Sequence, residues 1–150
     1  MRRLHLGVIL AFMLSACSSP RLYYWGSSPA FDDGTSRYEH LAYRFYDKQS
    51  PESVCELVGL YEDMIAHPGG TRGVVPPGIY AEYGYLLLLP STAEAFDKYA
   101  TTRQRRLFST SSYATFFPQR GQEMLQKEME LYPESTQFII PLLRRLTDHQ

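Results

Sequence analysis

The stretch "PPGIYAEYGYLLLLP", residues 76–90, constrains this chain more than any other. Prolines bound it at both ends, and between them apolar and aromatic side chains fall on nearly every side of a helix. A helix apolar all round cannot lie on a surface, because no face of it suits water. It must be central, and the rest of the chain must supply elements that wrap it. Gly84 sits in its interior, where glycine costs about 1 kcal/mol relative to alanine. Its presence there predicts a neighbouring helix that approaches closely.

The wrapping elements can be read from apolar stripes at helical spacing. From Thr35, residues Tyr38, Leu41, Ala42 and Phe45 share one face. Ser50 followed by Pro51 has the form of a helix start, with a capping oxygen and then a proline where no donor is lost. Val54, Leu57, Val58, Tyr61 and Ile65 continue that helix to a stop at His67-Pro68-Gly69-Gly70, and "HPGGTRGVVPPG" reads as a loop. After Pro90, Ser91-Thr92-Ala93-Glu94 has the form of a capping box, predicting a fourth helix through about Leu107. "STSSY" predicts a loop and Pro118 a restart, after which Met124, Leu125, Met129 and Tyr132 face one way. Beyond Pro133, a last helix carries Phe138, Ile139, Leu142, Leu143 and Leu146. No run alternates as a sheet strand would. The expected class is all-α, a domain of about six helices over residues 35–150.

The first residues have a different character. "MRRLHLGVILAFMLSAC" opens with Arg2 and Arg3, continues through an uncharged apolar core from Leu6 to Leu14, and ends in small residues before Cys17. The core is too short to span a bilayer, which takes about 20 residues. In layout it is a leader, residues 1–16, that is removed. "LSAC" resembles the bacterial lipobox, whose cysteine is acylated and becomes the first mature residue. Several acyl chains together anchor almost permanently, where a single one is marginal. By resemblance to enterobacterial lipoproteins, Ser18 after the cysteine directs sorting to the outer membrane, and the domain is expected on its periplasmic face. Residues 17–34, rich in serine, proline and glycine, read as a tether. Within it "LYYWG" is out of place: four adjacent bulky groups can dock on the domain, lie at the lipid interface or meet a partner. With Cys17 acylated, Cys55 stands alone within a strong helical pattern. It is read as a buried thiol, the alternative being an intermolecular disulfide.

Three pieces of the chain, "LYYWG", "VPPGIYAEYG" and "ELYPES", resemble in identity and order a family of bacterial lipoproteins catalogued as domain of unknown function 4810. The resemblance runs over residues 22–147. It implies a short tetratricopeptide-like helical protein and, as neighbour, a CsgG-like outer-membrane protein. The family has no agreed activity, so the resemblance carries no catalytic residue. Its members pass from the "YG" helix to the "PES" helix by a short turn, so here residues about 90–120 read as an insertion. A full tetratricopeptide array needs about three repeats of 34 residues, more than this chain holds.

Composition and motifs bound the function further. The chain has a formal net charge of −1, or −3 once Arg2 and Arg3 leave with the leader. Neither balance suits nucleic acid. "GGTRG" lacks the Lys-Ser/Thr of a phosphate loop. Asp63 and His67, at i and i+4 with Glu62 beside them, are too few for zinc, which takes three or four ligands; they read as a surface pair near a helix C-terminus. No convergent set of acid, base, nucleophile or metal ligands is evident, and no cofactor or small-molecule substrate. Two function classes stay open: a non-catalytic adaptor or subunit of an envelope assembly, and an activator of an envelope enzyme such as one acting on peptidoglycan. The sharpest charge feature is Arg103, Arg105 and Arg106, with Arg120 beyond the loop, beside the aromatics of "SYATFF" (112–117). It reads either as a solvated helix face or as a contact for lipid head groups, acidic glycan or an acidic partner. Arginine beside aromatics is what interface hot spots favour. The candidate partner contacts are therefore Arg103, Arg105, Arg106, Phe116 and Phe117, with Tyr23, Tyr24 and Trp25 as a second patch.

Overall fold

The computed structural model describes residues 20–26 and 34–147. The leader, Cys17 and the stretch 27–33 lie outside them. Among the described residues the chain is all-helical: α1 (Arg37–Lys48), α2 (Pro51–Ala66), α3 (Ile79–Leu88), α4 (Pro90–Tyr99), α5 (Thr102–Arg105), α6 (Tyr113–Leu131), a 3-10 turn (Pro133–Ser135) and α7 (Thr136–Thr147). No helix among them is long and apolar enough to cross a membrane.

The helix starts follow local chemistry. At α1 the Ser36 hydroxyl accepts the Glu39 N–H at 3.2 Å, while Glu39 accepts the Ser36 N–H at 2.6 Å, a reciprocal cap. At α2 the Ser50 hydroxyl accepts the Ser53 N–H at 3.2 Å and Pro51 occupies the first turn, as the sequence predicts. The start of α4 differs from the expected "STAE" box. Pro90 opens the helix after an extended Leu89, and the Thr92 hydroxyl instead donates to the Leu86 carbonyl at 2.6 Å. The helix also ends earlier than Leu107. The chain turns extended at Ala100, and a second reciprocal cap, Thr101 with Gln104, restarts it as the single turn α5.

α3 is the central helix. It buries Ile79, Tyr80, Tyr83, Leu86, Leu87 and Leu88, and a fully buried Leu or Ile contributes about 1.5–3 kcal/mol. Its most extensive partner is α6; α2 packs on α1 and α4, and α4 also packs on α6. A Cβ on Gly84 would sit 2.8 Å from the Gly121 carbonyl oxygen, and one on Gly121 would sit 2.8 Å from the Gly84 carbonyl oxygen. The two glycines face each other, so the backbones of α3 and α6 touch. Gly84 meets Leu125, Leu88 meets Gly121 and Gly78 meets Glu128, so the two helices run antiparallel.

Residues 90–120 are built into the core rather than inserted beside it. Phe96 of α4 lies 4.9–5.3 Å, ring centre to ring centre, from Phe108, Tyr113 and Phe117, all edge-on. This cluster also explains why α6 begins at Tyr113 and not at Pro118. A proline inside a helix removes one hydrogen bond and costs about 3 kcal/mol. Burial of Tyr113 and Phe117 on the turn before it, with aromatic pairs adding about 0.5–1.5 kcal/mol each, outweighs that. On α7 Ile139 is buried, and Leu143 and Leu146 pack beside it on Leu88 and Leu125. Phe138, expected on the same stripe, is exposed at its edge.

Candidate partner surface

The segment carrying Tyr23, Tyr24 and Trp25 is docked on the helices. The Trp25 carbonyl accepts the Tyr38 N–H at 3.1 Å, and the two rings lie 5.2 Å apart. Tyr24 donates its hydroxyl to Asp63 Oδ2 at 3.0 Å, and burial together with that carboxylate raises the phenol above its ordinary value. Asp63 also meets His67 at 3.2 Å, the expected i, i+4 pair. Trp25 and Tyr24 are thus partly buried members of the core margin, and Tyr23, half-buried as well, lies edge-on to the Trp25 ring at 6.4 Å.

The arginine cluster divides. Arg105 of α5 folds back on the end of α4: its Nε donates to the Ala100 carbonyl at 3.1 Å, its Nη2 to the Asp97 carbonyl, and its guanidinium lies 5.9 Å from the Tyr113 ring centre. It is a clip that holds the α4–α5 corner. Arg120 is drawn inward as well, bonding Glu62 at 3.2–3.3 Å through Nε and Nη2. Arg103 and Arg106 stay exposed, as does Leu107. Phe117 is 0% exposed, at the centre of the aromatic cluster, so it cannot serve as a partner contact. Its neighbour Phe116 is partly buried against Phe108, 5.8 Å away. This part of the expected surface therefore contracts to Arg103, Arg106 and the partly buried Phe116, and the structure adds the exposed Leu107 beside them.

Two polar groupings that join helices, one at the surface and one buried, are not evident from the sequence. Tyr38 and Tyr61 both donate to Glu82 Oε2, at 2.7 and 2.9 Å. Tyr83, fully buried, donates to Glu62 Oε1 at 2.6 Å, beside Arg120. Burial and then the adjacent carboxylates push the Tyr61 and Tyr83 phenols well above their usual range. For Arg120, burial works against the charge, but Glu62, Tyr83 and Glu123 together outweigh it and the guanidinium is held more firmly protonated. These groups satisfy one another across α1, α2, α3 and α6. No residue spacing announces such pairs, because they join helices remote in sequence.

Glu128 of α6 is 2% exposed and accepts the Gly78 N–H at 2.7 Å, capping α3 from outside its own helix. Oε2 has no hydrogen-bond partner among the described residues. Cys55 is buried and free, 3.6 Å from the Ala95 carbonyl, and burial pushes its thiol up to about 11. Among the described residues no three His, Cys, Asp or Glu come together in a way that could hold a metal. Comparison with protein-family models, with curated proteins and with solved structures finds no match.

Proposed function

We propose that this chain is a lipid-anchored, non-catalytic subunit or adaptor of an outer-membrane assembly, tethered through Cys17 on the periplasmic side. The observation that carries the reading is the order of its parts. A motif of the acylation type ends at Cys17, and from Arg21 the chain is already hydrogen-bonded to the domain, first to the loop at Thr71 and Arg72 and then, at Tyr24 and Trp25, to the helices. Such a layout holds a small domain against a membrane surface, where any neighbour is at high effective concentration and weak contacts suffice. The resemblance to the lipoprotein family catalogued as domain of unknown function 4810 supports a CsgG-like protein as that neighbour. Arg103, Arg106 and Leu107, exposed on and just after α5, are the contacts suited to it by chemistry.

The test is a crosslinking pull-down of the full chain from envelopes. The unaltered chain is expected to capture the CsgG-like protein. Arg103→Glu with Arg106→Glu is expected to lose it while helical content and incorporation of labelled fatty acid persist. Cys17→Ala is expected to yield an unprocessed chain without fatty acid. Acylation of that variant would refute the anchor. Capture of a peptidoglycan-acting enzyme in place of the CsgG-like protein would favour the activator reading.

A further inference from the structure

We infer that one pole of the domain, built from Arg21, Leu22 and Tyr23 with Arg72 and Val74, is the surface that rests on the phospholipid bilayer. This rests on the reading of Cys17 as the anchor and adds an orientation to it. The first ground is length. Cys17 lies three residues before Pro20, and three extended residues span about 10 Å. The chain at Pro20 is therefore held close to the acyl chains whatever the domain does.

The second ground is that this end of the chain is fixed to the domain and does not swing freely. The Arg21 and Leu22 carbonyls accept the Thr71 and Arg72 N–H groups at 3.0 and 3.1 Å. Gly70 makes the approach possible: its φ is +76°, and a Cβ there would lie 2.5 Å from the Leu22 carbonyl oxygen. The loop at 70–74 is thereby carried to the membrane with residues 20–23.

The third ground is chemistry. Leu22 is 58% exposed, and Val74, two residues beyond the Arg72 that Leu22 hydrogen-bonds, is 37% exposed. Arg21 and Arg72 are exposed, and the Arg72 guanidinium lies 5.8 Å from the Tyr23 ring centre. No acidic residue occurs in 20–26 or 69–78, although the processed chain is acidic overall. Exposed aliphatics, a tyrosine ring and arginines match the head-group region of a bilayer containing anionic lipid; Glu39, which lines a groove with Arg21, Leu22 and Tyr23, is engaged by the Ser36 N–H in the α1 cap. The Asp63 carboxylate, reached from this segment by Tyr24, is also engaged by His67.

The test uses the acylated full chain in vesicles of phosphatidylethanolamine and phosphatidylglycerol, with its acylation verified by mass. Val74→Cys, Leu22→Cys and Lys48→Cys each carry an environment-sensitive fluorophore; native Cys55 is buried and does not compete. Leu22 is near the anchor in any orientation, so position 74 decides. Lys48 is at the other end of the α1–α2 pair, about 24 Å away by the length of the 16-residue α2. Head-group spin-labelled lipid is expected to quench most of the emission at 22 and 74 and little at 48. Arg21→Glu with Arg72→Glu is expected to relieve the quenching at 74. Equal quenching at 74 and 48 in an acylated chain would overturn the orientation and leave that pole to a protein partner. A chain that carries no acyl group would overturn the anchor and the orientation together.

Discussion

Glu128 is a carboxylate that burial disfavours and that one helix end partly supports. The N–H groups of Gly78, Ala81 and Tyr80 favour its charge, but burial outweighs them and its pKa is raised above the ordinary 4.5. A carboxyl raised in the folded state binds its proton more tightly there than in the unfolded chain. Its contribution to stability is therefore fully present below the unfolded value and is lost as pH rises through the folded one. Glu128→Gln keeps an acceptor for Gly78 and removes the charge. Relative to the native chain, this variant should gain stability as pH is raised from the acid side of the carboxylate range towards neutrality. Urea denaturation of both proteins at the two ends of that range measures the difference, and a gap that does not change with pH would refute a raised carboxyl. At this scale the sequence is legible where chemistry is local. Ser50, Pro51 and the Asp63–His67 pair act as their spacing predicts. Arg120 and Phe117 do not, because their partners Glu62 and Phe96 belong to other helices, and only the packed fold brings them together.

At the scale of the element, the contact of α3 with α6 through Gly84 and Gly121 sets the spacing of the core. A methyl group on Gly84 must push against backbone, the Gly121 oxygen at 2.8 Å, which cannot swing aside as a side chain could. Alanine returns up to about 1 kcal/mol of helix propensity, but overpacking of this kind costs typically 1–3 kcal/mol. Gly84→Ala and Gly121→Ala should each be destabilising, and the pair should cost less than the sum. Once the first methyl has moved the helices apart, the second meets relieved space. Chemical denaturation of the two single variants and the double variant completes the cycle; strict additivity would mean that the crossing does not yield as a unit. Helix positions are the most legible part of the fold, since apolar stripes and prolines punctuate them. The sequence also predicts the crossing at Gly84, although it does not name Gly121. What it misplaces are the boundaries at Pro90, Ala100 and Tyr113, where burial of Phe96, Tyr113 and Phe117 overrides local signals.

For the whole molecule, the question is where the folded unit begins. Helical periodicity starts at Thr35, but Tyr24 and Trp25 pack on the core cluster and hydrogen-bond Asp63 and Tyr38. The sequence leaves docking, lipid and partner open for "LYYWG"; the structure divides it, with Tyr24 and Trp25 packed on the core, Tyr23 half-buried beside them and Leu22 exposed. A chain that starts at Thr35 should therefore lose about 2–4 kcal/mol, the apolar area of two aromatic side chains taken as partly buried. Trp25 is the sole tryptophan, which gives a direct test that keeps residues 20–26 in place. If the segment folds with the helices as one unit, Trp25 emission and helical circular dichroism should share a single urea midpoint in the 18–150 fragment. Trp25→Phe should keep most of the stability, and Trp25→Ala should lower the midpoint measured by dichroism. A tryptophan transition well before the loss of helix would mean that residues 20–26 detach from an intact domain. The domain would then hang from a flexible chain of about 18 residues, free to turn any face to the membrane. A shared midpoint leaves only residues 17–20 between Cys17 and a fixed surface, and an acyl group on Cys17, as proposed, would then set which way the domain faces.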